Sequence, residues 1–235
     1  MQLTVRDITL FFDVSESTVV RWIRQRGLPA QYVNGQHRLH RAEVLEWATA
    51  NKVKFSMELL DDHVDSEESP TNLAEALEAG GIFYNLQDTS MEQALRAMVQ
   101  VLPLPEGVDR ELIWRLFLVR EAAATTAIGN GIALPHVRNP IVLNVDRPML
   151  TLCFLENPVD FKALDGQPVQ VLFSMICPTT RSHLQILSRL SYALQDATFK
   201  EVLMRHGHRE EILREARRIE ASLASPAADA GKVTR

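Results

Sequence analysis

A chain of 235 residues is long enough for one large or two modest domains, and to bury a core without disulfide or metal staples. Its apolar fraction of 46% and charged fraction of 23% are ordinary for a globular protein. A formal net charge of −5 excludes a molecule that binds nucleic acid through overall charge alone.

The charge is unevenly placed. Residues 1–55 carry eight Lys/Arg against five acids, residues 56–75 carry seven acids and no base, and the rest is close to balance. A basic head, an acidic joint and a neutral body predict separate jobs. The two cysteines, Cys153 and Cys177, sit inside apolar runs. They read as small buried hydrophobes in a reducing compartment, without metal-ligand spacing. The first ten residues lack the apolar centre of a signal peptide, and no apolar run is long enough to span a bilayer, so a cytoplasmic protein is expected.

In the head, Thr4 can cap a short helix over about 5–12, with Ile8, Phe11 and Phe12 at helical spacing. Asp13-Val14 makes a turn. Ser15 can cap a second helix that buries Val19, Trp22 and Ile23 and exposes Ser17, Thr18, Arg21, Arg24 and Gln25. Gly27 and Pro29 stop it. Two short helices across a tight turn are a helix-turn-helix, and the second carries hydroxyls and arginines suited to phosphates and base edges. Asn34-Gly35 predicts a hairpin with Gln36, His37 and Arg38 at its tip, where His37 and His40 read as wing or DNA-backbone contacts. A further helix from Arg41 to Trp47 turns Val44, Leu45 and Trp47 inward. The pieces Leu3-Thr4-Val5, Val14 to Val19, Arg21-Trp22-Ile23, Gly27-Leu28-Pro29, Asn34-Gly35, His37-Arg38-Leu39 and Val44 to Trp47, in this order and spacing, resemble the winged-helix DNA-binding domain of the excisionase and MerR type. The resemblance implies that DNA is met by Ser17, Thr18, Arg21, Arg24, Gln25, Gln36, His37 and Arg38. The head's modest excess of positive charge implies few, salt-sensitive phosphate contacts, and so a homodimer or helper proteins for tight binding.

Residues 56–80 read as an acidic, solvated linker, ending in a short helix with Leu73, Ala76 and Leu77 that Gly80-Gly81 stops. In the body (81–223), Ile82 to Leu86 predicts a strand. Ser90 caps a helix to about Leu102, and a second helix over about 110–120 presents Leu112, Leu116 and Val119. Two near-continuous apolar strands are expected, Met149 to Leu155 and Val169 to Cys177. Thr179 or Thr180 then caps a helix with Leu184, Leu187, Leu190 and Leu194 on one face, and helices at about 197–205 and 209–222 follow. Interleaved strands and helices predict an α/β body, α+β counting the head. Residues 224–235 read as a frayed tail, and His206 and His208 as surface residues.

The chemistry concentrates at Gly129-Asn130-Gly131-Ile132-Ala133-Leu134-Pro135-His136. The glycines free the backbone, Ile132 to Leu134 form a short buried strand, and Pro135 holds the chain extended so that His136 sits at a rigid strand end. Imidazole, with an unperturbed pKa of about 6.5, is a neutral nucleophile near neutral pH and can take a phosphoryl or acyl group. His183 falls in the first turn of a helix whose positive end suits phosphate, and Arg120 lies just upstream. Two imidazoles and a guanidinium are what phosphoryl transfer needs: a carrier atom and fixed positive charge.

The stretches Arg120-Glu121, Thr126 to His136, Pro158 to Phe161, Leu164 to Val169 and His183 to Leu190 resemble the enzyme IIA domain of the phosphoenolpyruvate-dependent phosphotransferase system. The match is to the mannitol/fructose class, and within it to the nitrogen-regulatory IIA proteins. The resemblance implies a mixed β-sheet flanked by helices, His136 as phosphoryl acceptor from an HPr-type phosphocarrier, His183 as second active-site histidine, Arg120 as helper, and no cofactor or metal. Val137 stands where the family has Gly or Ala, and its branched side chain would crowd the rim. The expectation is a phosphohistidine phosphotransferase component and transcription regulator, partnered by the carrier, by DNA and by a regulated protein, with no membrane. Two alternatives remain: a plain phosphocarrier with a tethering head, and a DNA-binding protein whose body only senses.

Overall fold

A computed structural model describes residues 2–33, 35–51, 53–55, 72–87, 89–136 and 145–224. Asn34, Val137, residues 56–71 of the expected linker and residues 225–235 of the expected tail lie outside the described residues.

The head begins with β1 (Gln2–Thr4), then α1 (Val5–Phe12) and α2 (Glu16–Gln25), β2 (Gln31–Val33), β3 (Gln36–His40) and α3 (Arg41–Ala50). Both early helices start where cap chemistry directs. Thr4 accepts from the Asp7 amide while Asp7 bonds back to Thr4, and Ser15 accepts from the Thr18 amide, which satisfies amides that would otherwise be orphaned. The wing is a three-stranded antiparallel sheet in the order β1-β3-β2. The hairpin was legible in the sequence. β1 was not, because three residues become a strand only by pairing with Arg38, Leu39 and His40. Trp22 and Trp47 pack 5.1 Å apart, and the Trp47 indole N–H donates to the Arg26 carbonyl at 2.8 Å, so α3 is fixed against the end of α2.

The body runs α4 (Leu73–Gly80), β4 (Ile82–Leu86), α5 (Met91–Val101), α6 (Arg110–Ala123), β5 (Ala127–Gly129), β6 (Ile132–Ala133), β7 (Met149–Val159), β8 (Val169–Ile176), α7 (Thr180–Ala193), α8 (Ala197–Met204) and α9 (Arg209–Ala224). Its five strands lie in the order β4-β7-β8-β6-β5. The sheet is mixed: β4 with β7 and β6 with β8 are parallel, while β7 with β8 and β5 with β6 are antiparallel. The interior strand β7, between β4 and β8, is buried on both faces. Leu150, Leu152 and Phe154 join the apolar layer under α4, α7, α8 and α9. Met149, Cys153 and Leu155 join the layer under α5 and α6. Such double burial gives the continuous apolar runs seen in the sequence.

Three expectations change. The buried stripe of α6 is Ile113 and Phe117, whereas Leu112 and Val119 are exposed, at 53% and 70%. The apolar residues of this helix spread around its circumference, and packing selects the stripe that meets α5. The helix at 110–120 extends to Ala123. His206 is half-buried, its ring 4.7 Å from that of Phe154, where a surface residue was expected; His208 is exposed. No helix among the described residues is long and apolar enough to cross a membrane.

Candidate phosphoryl-transfer site

His136 is placed by backbone pairing on both sides of a tight hairpin. β5 and β6 are joined through Gly129, Asn130 and Gly131, all with positive φ (85°, 54° and 74°). The turn is anchored from outside, because the Asn130 amide donates to Asp165 at 2.7 Å. Beyond β6, the Leu134 amide donates to the Thr126 carbonyl at 3.0 Å. Thr126 is in turn held by buried Glu121, which accepts from its amide at 2.8 Å. The end of α6, the entry to β5 and the exit from β6 are thus one hydrogen-bonded unit. Glu121 stood in the sequence only as the neighbour of Arg120; its role rests on a contact that composition does not display.

The His136 side chain is 1% exposed. Its Nδ1 donates to the Leu134 carbonyl at 2.6 Å. A carbonyl only accepts, so this bond places the proton on Nδ1 and turns Nε2 toward the rest of the site. The His183 ring centroid lies 5.2 Å from that of His136. His183 is buried, and its pKa is pushed down to about 4, by burial first and by the neighbouring His136, against the opposite pull of Glu46. It is a neutral imidazole near neutral pH.

Arg120, near the end of α6, donates through one terminal nitrogen to the Ala124 carbonyl at 2.7 Å and through the other to Glu46 at 2.9 Å. Its Nε is buried without a partner. Arg120, His136 and His183 therefore converge through Glu46, which both Arg120 and His136 touch. The start of α7 is different from expectation. The Ser182 amide is taken by the Thr179 hydroxyl and the His183 amide by the Thr179 carbonyl, so these two amides are not open to phosphate.

Glu46 is the site residue that sequence reading missed. It comes from α3 in the head, ninety positions from His136. Its Oε1 faces His136 Nε2 at 2.9 Å and its Oε2 faces the Arg120 guanidinium at 2.9 Å. Nothing in the local pattern distinguishes it from a solvent-facing helix carboxylate.

The residues expected to meet DNA lie together on the head. Ser17, Arg21, Arg24 and Gln25 are exposed on α2, and Thr18 is half-buried there. Gln36 is exposed at the start of β3 and accepts from Arg38 at 3.2 Å. His37 is half-buried with its ring 5.0 Å from that of Tyr32. These residues are not in the joint with the body, which α3 makes by packing on α7 and β5. Val137 lies outside the described residues.

Residues 75–217 match the family model described as phosphoenolpyruvate-dependent sugar phosphotransferase system, EIIA 2. Residues 3–52 match a helix-turn-helix domain model. The chain is 33% identical over 135 residues to a nitrogen regulatory protein of Pseudomonas aeruginosa, covering 56% of this chain and 85% of that protein. It is 30% identical over 147 residues to a nitrogen regulatory protein of Bradyrhizobium diazoefficiens, covering 62% and 90%. In fold it is similar to the crystal structure of nitrogen regulatory protein IIA-Ntr from Neisseria meningitidis, with a TM-score of 0.53 and 24% identity over 61% of this chain and 98% of that one.

Proposed function

Since the chain belongs to the EIIA type 2 family of the phosphoenolpyruvate-dependent sugar phosphotransferase system, we propose that it is a regulatory phosphoryl acceptor whose His136 takes a phosphoryl group from an HPr-type carrier and passes that state to a DNA-binding head. It works in the cytoplasm, where both partners are found. The observation that supports this reading is the orientation of His136: Nδ1 is committed to the Leu134 carbonyl, and Nε2 is turned toward Glu46, whose other oxygen meets Arg120.

In the proposed step the Nε2 lone pair attacks the phosphorus of the carrier's phosphohistidine. The new Nε2–P bond forms as the donor P–N bond breaks, and that electron pair returns to the donor nitrogen. The His136 ring takes on positive charge, which the Leu134 carbonyl stabilises through Nδ1–H. Arg120 supplies fixed positive charge, and its unused Nε–H is a donor for a phosphoryl oxygen. His183, neutral and packed beside His136, is the candidate to donate a ring N–H to a phosphoryl oxygen.

The head's part is to bind DNA through α2 and the wing, with Ser17, Thr18, Arg21, Arg24, Gln25, Gln36, His37 and Arg38 as the contacting set. A head of such small net charge is expected to act as a homodimer. The test is phosphorylation by phosphoenolpyruvate, enzyme I and an HPr-type carrier, read as acid-labile mass on the intact chain. The wild type is expected to gain one phosphoryl group and folded His136→Ala none. A folded wild type that gains none with any donor pair overturns the reading in favour of a body that only senses.

A further inference from the structure

The proposed acceptor site is already filled by the chain itself. Glu46 sets one carboxylate oxygen on His136 Nε2 and the other on Arg120, each at 2.9 Å. An arriving phosphoryl group needs the same two partners, the acceptor nitrogen and the guanidinium. The Glu46 carboxylate is an anion of oxygens in the place where another anion of oxygens must go.

The contact also disarms the nucleophile. Nδ1 carries a proton because it faces the Leu134 carbonyl. The bond between Nε2 and a carboxylate requires a second proton between them. With both ring nitrogens engaged, Nδ1 by the Leu134 carbonyl and Nε2 by Glu46, Nε2 is not open to phosphorus.

Other contacts show how Glu46 is delivered. It stands between the buried head residues Leu45 and Trp47, on the helix that packs against α7 and β5. Three residues on, the Thr49 hydroxyl donates to Ser191 of α7 at 2.8 Å. The joint is incompletely packed, with a cavity of about 180 Å³ lined by Ala48, Thr49 and Val53 from the head and by Ile128, Ser191 and Leu194 from the body. The exposed residues of α2 point elsewhere, so docking constrains the head without burying its DNA-facing side chains.

We infer that the body's phosphoryl site is the docking site for the chain's own head, with Glu46 as the plug, so that head docking and phosphorylation of His136 exclude each other. Transfer requires α3 to leave, and a phosphohistidine then repels the Glu46 carboxylate and keeps the head released. This rests on His136 being the phosphoryl acceptor.

The experiment uses the full chain and phosphoramidate, a small donor that needs no carrier to dock. Initial rates of acid-labile mass gain are compared for the wild type, Glu46→Gln, Glu46→Ala and the same-helix control Glu43→Gln. Both Glu46 variants should label at least about tenfold faster than the wild type and Glu43→Gln. The His136 ring-nitrogen resonances should shift between the wild type and Glu46→Gln, as the carboxylate partner of Nε2 is lost. Small-angle scattering should show a larger maximum dimension for phosphorylated wild type and for unmodified Glu46→Ala than for unmodified wild type. Equal labelling rates, or unchanged ring resonances and dimensions, overturn the plug while leaving phosphorylation standing. Changed resonances and dimensions with no label on any variant, from phosphoramidate or from the carrier, overturn the acceptor role and with it the exclusion of phosphate.

Discussion

The two ring nitrogens of His136 face opposite surroundings: one is tied to the backbone of its own strand end, the other looks onto charged groups delivered by α6 and α3. That asymmetry gives a histidine a defined task, because the backbone bond fixes both the tautomer and the ring plane. His183 is tuned differently. Its folded pKa of about 4 lies below the ordinary value near 6.5, with His136 and Glu46 as the charged groups facing it. As pH falls through 6.5 the unfolded chain takes up the proton first, so stability is full above that value and is lost as pH approaches 4. Between pH 7.5 and pH 5 the wild type should lose on the order of 2 kcal/mol through this residue. His183→Gln should lose correspondingly less. Urea midpoints of both proteins at the two pH values check this, and parallel shifts would show that His183 does not titrate as its burial requires.

At the scale of elements, close backbone approach does much of the positioning. Gly80 ends α4 against β7, and a Cβ built there lies 2.3 Å from the Leu150 carbonyl carbon. Backbone cannot step aside as a side chain can, so Gly80→Ala should destabilise the fold by about 2 to 3 kcal/mol or more, read from urea unfolding. On α2, exposed Arg21 and Arg24 belong to the proposed DNA face. Replacing either with Ala should flatten the slope of log affinity against log salt by about 1 if that residue meets a phosphate, as fluorescence anisotropy across a salt series would record. Element starts were legible because caps are local chemistry: Thr4, Ser15, Ser90 and Thr179 each bond the amide three residues on. That His136 and His183 lie side by side was legible through the motif, whereas Arg120 and His136 meet only through Glu46. What was not legible depends on distant partners. β1 is three residues long and exists through pairing with β3 about 35 positions on, and three-residue β5 exists only as the edge partner of β6. The inner face of α6 was set by α5 and the sheet, against an apolar pattern that points several ways. Glu46 enters the site only because two folded units meet.

Across the whole molecule, the uneven charge follows the division of labour. The basic head leaves α2 residues exposed while α3 packs on the body, so the proposed DNA face and the proposed phosphoryl site involve different elements of the head. The proposed phosphorylation at His136 would add about two negative charges beside the Glu46 carboxylate, so its first structural effect is expected to fall on the head. The proposed reading therefore couples the state of one imidazole to how the elements of the head are held. The most direct measurement is the affinity of the full chain for a DNA fragment selected from a random pool, before and after phosphorylation, at one fixed salt concentration. The expected result is a change in Kd of about fivefold or more, absent in His136→Ala treated identically. The same Kd for the phosphorylated and unmodified chains would contradict the coupling.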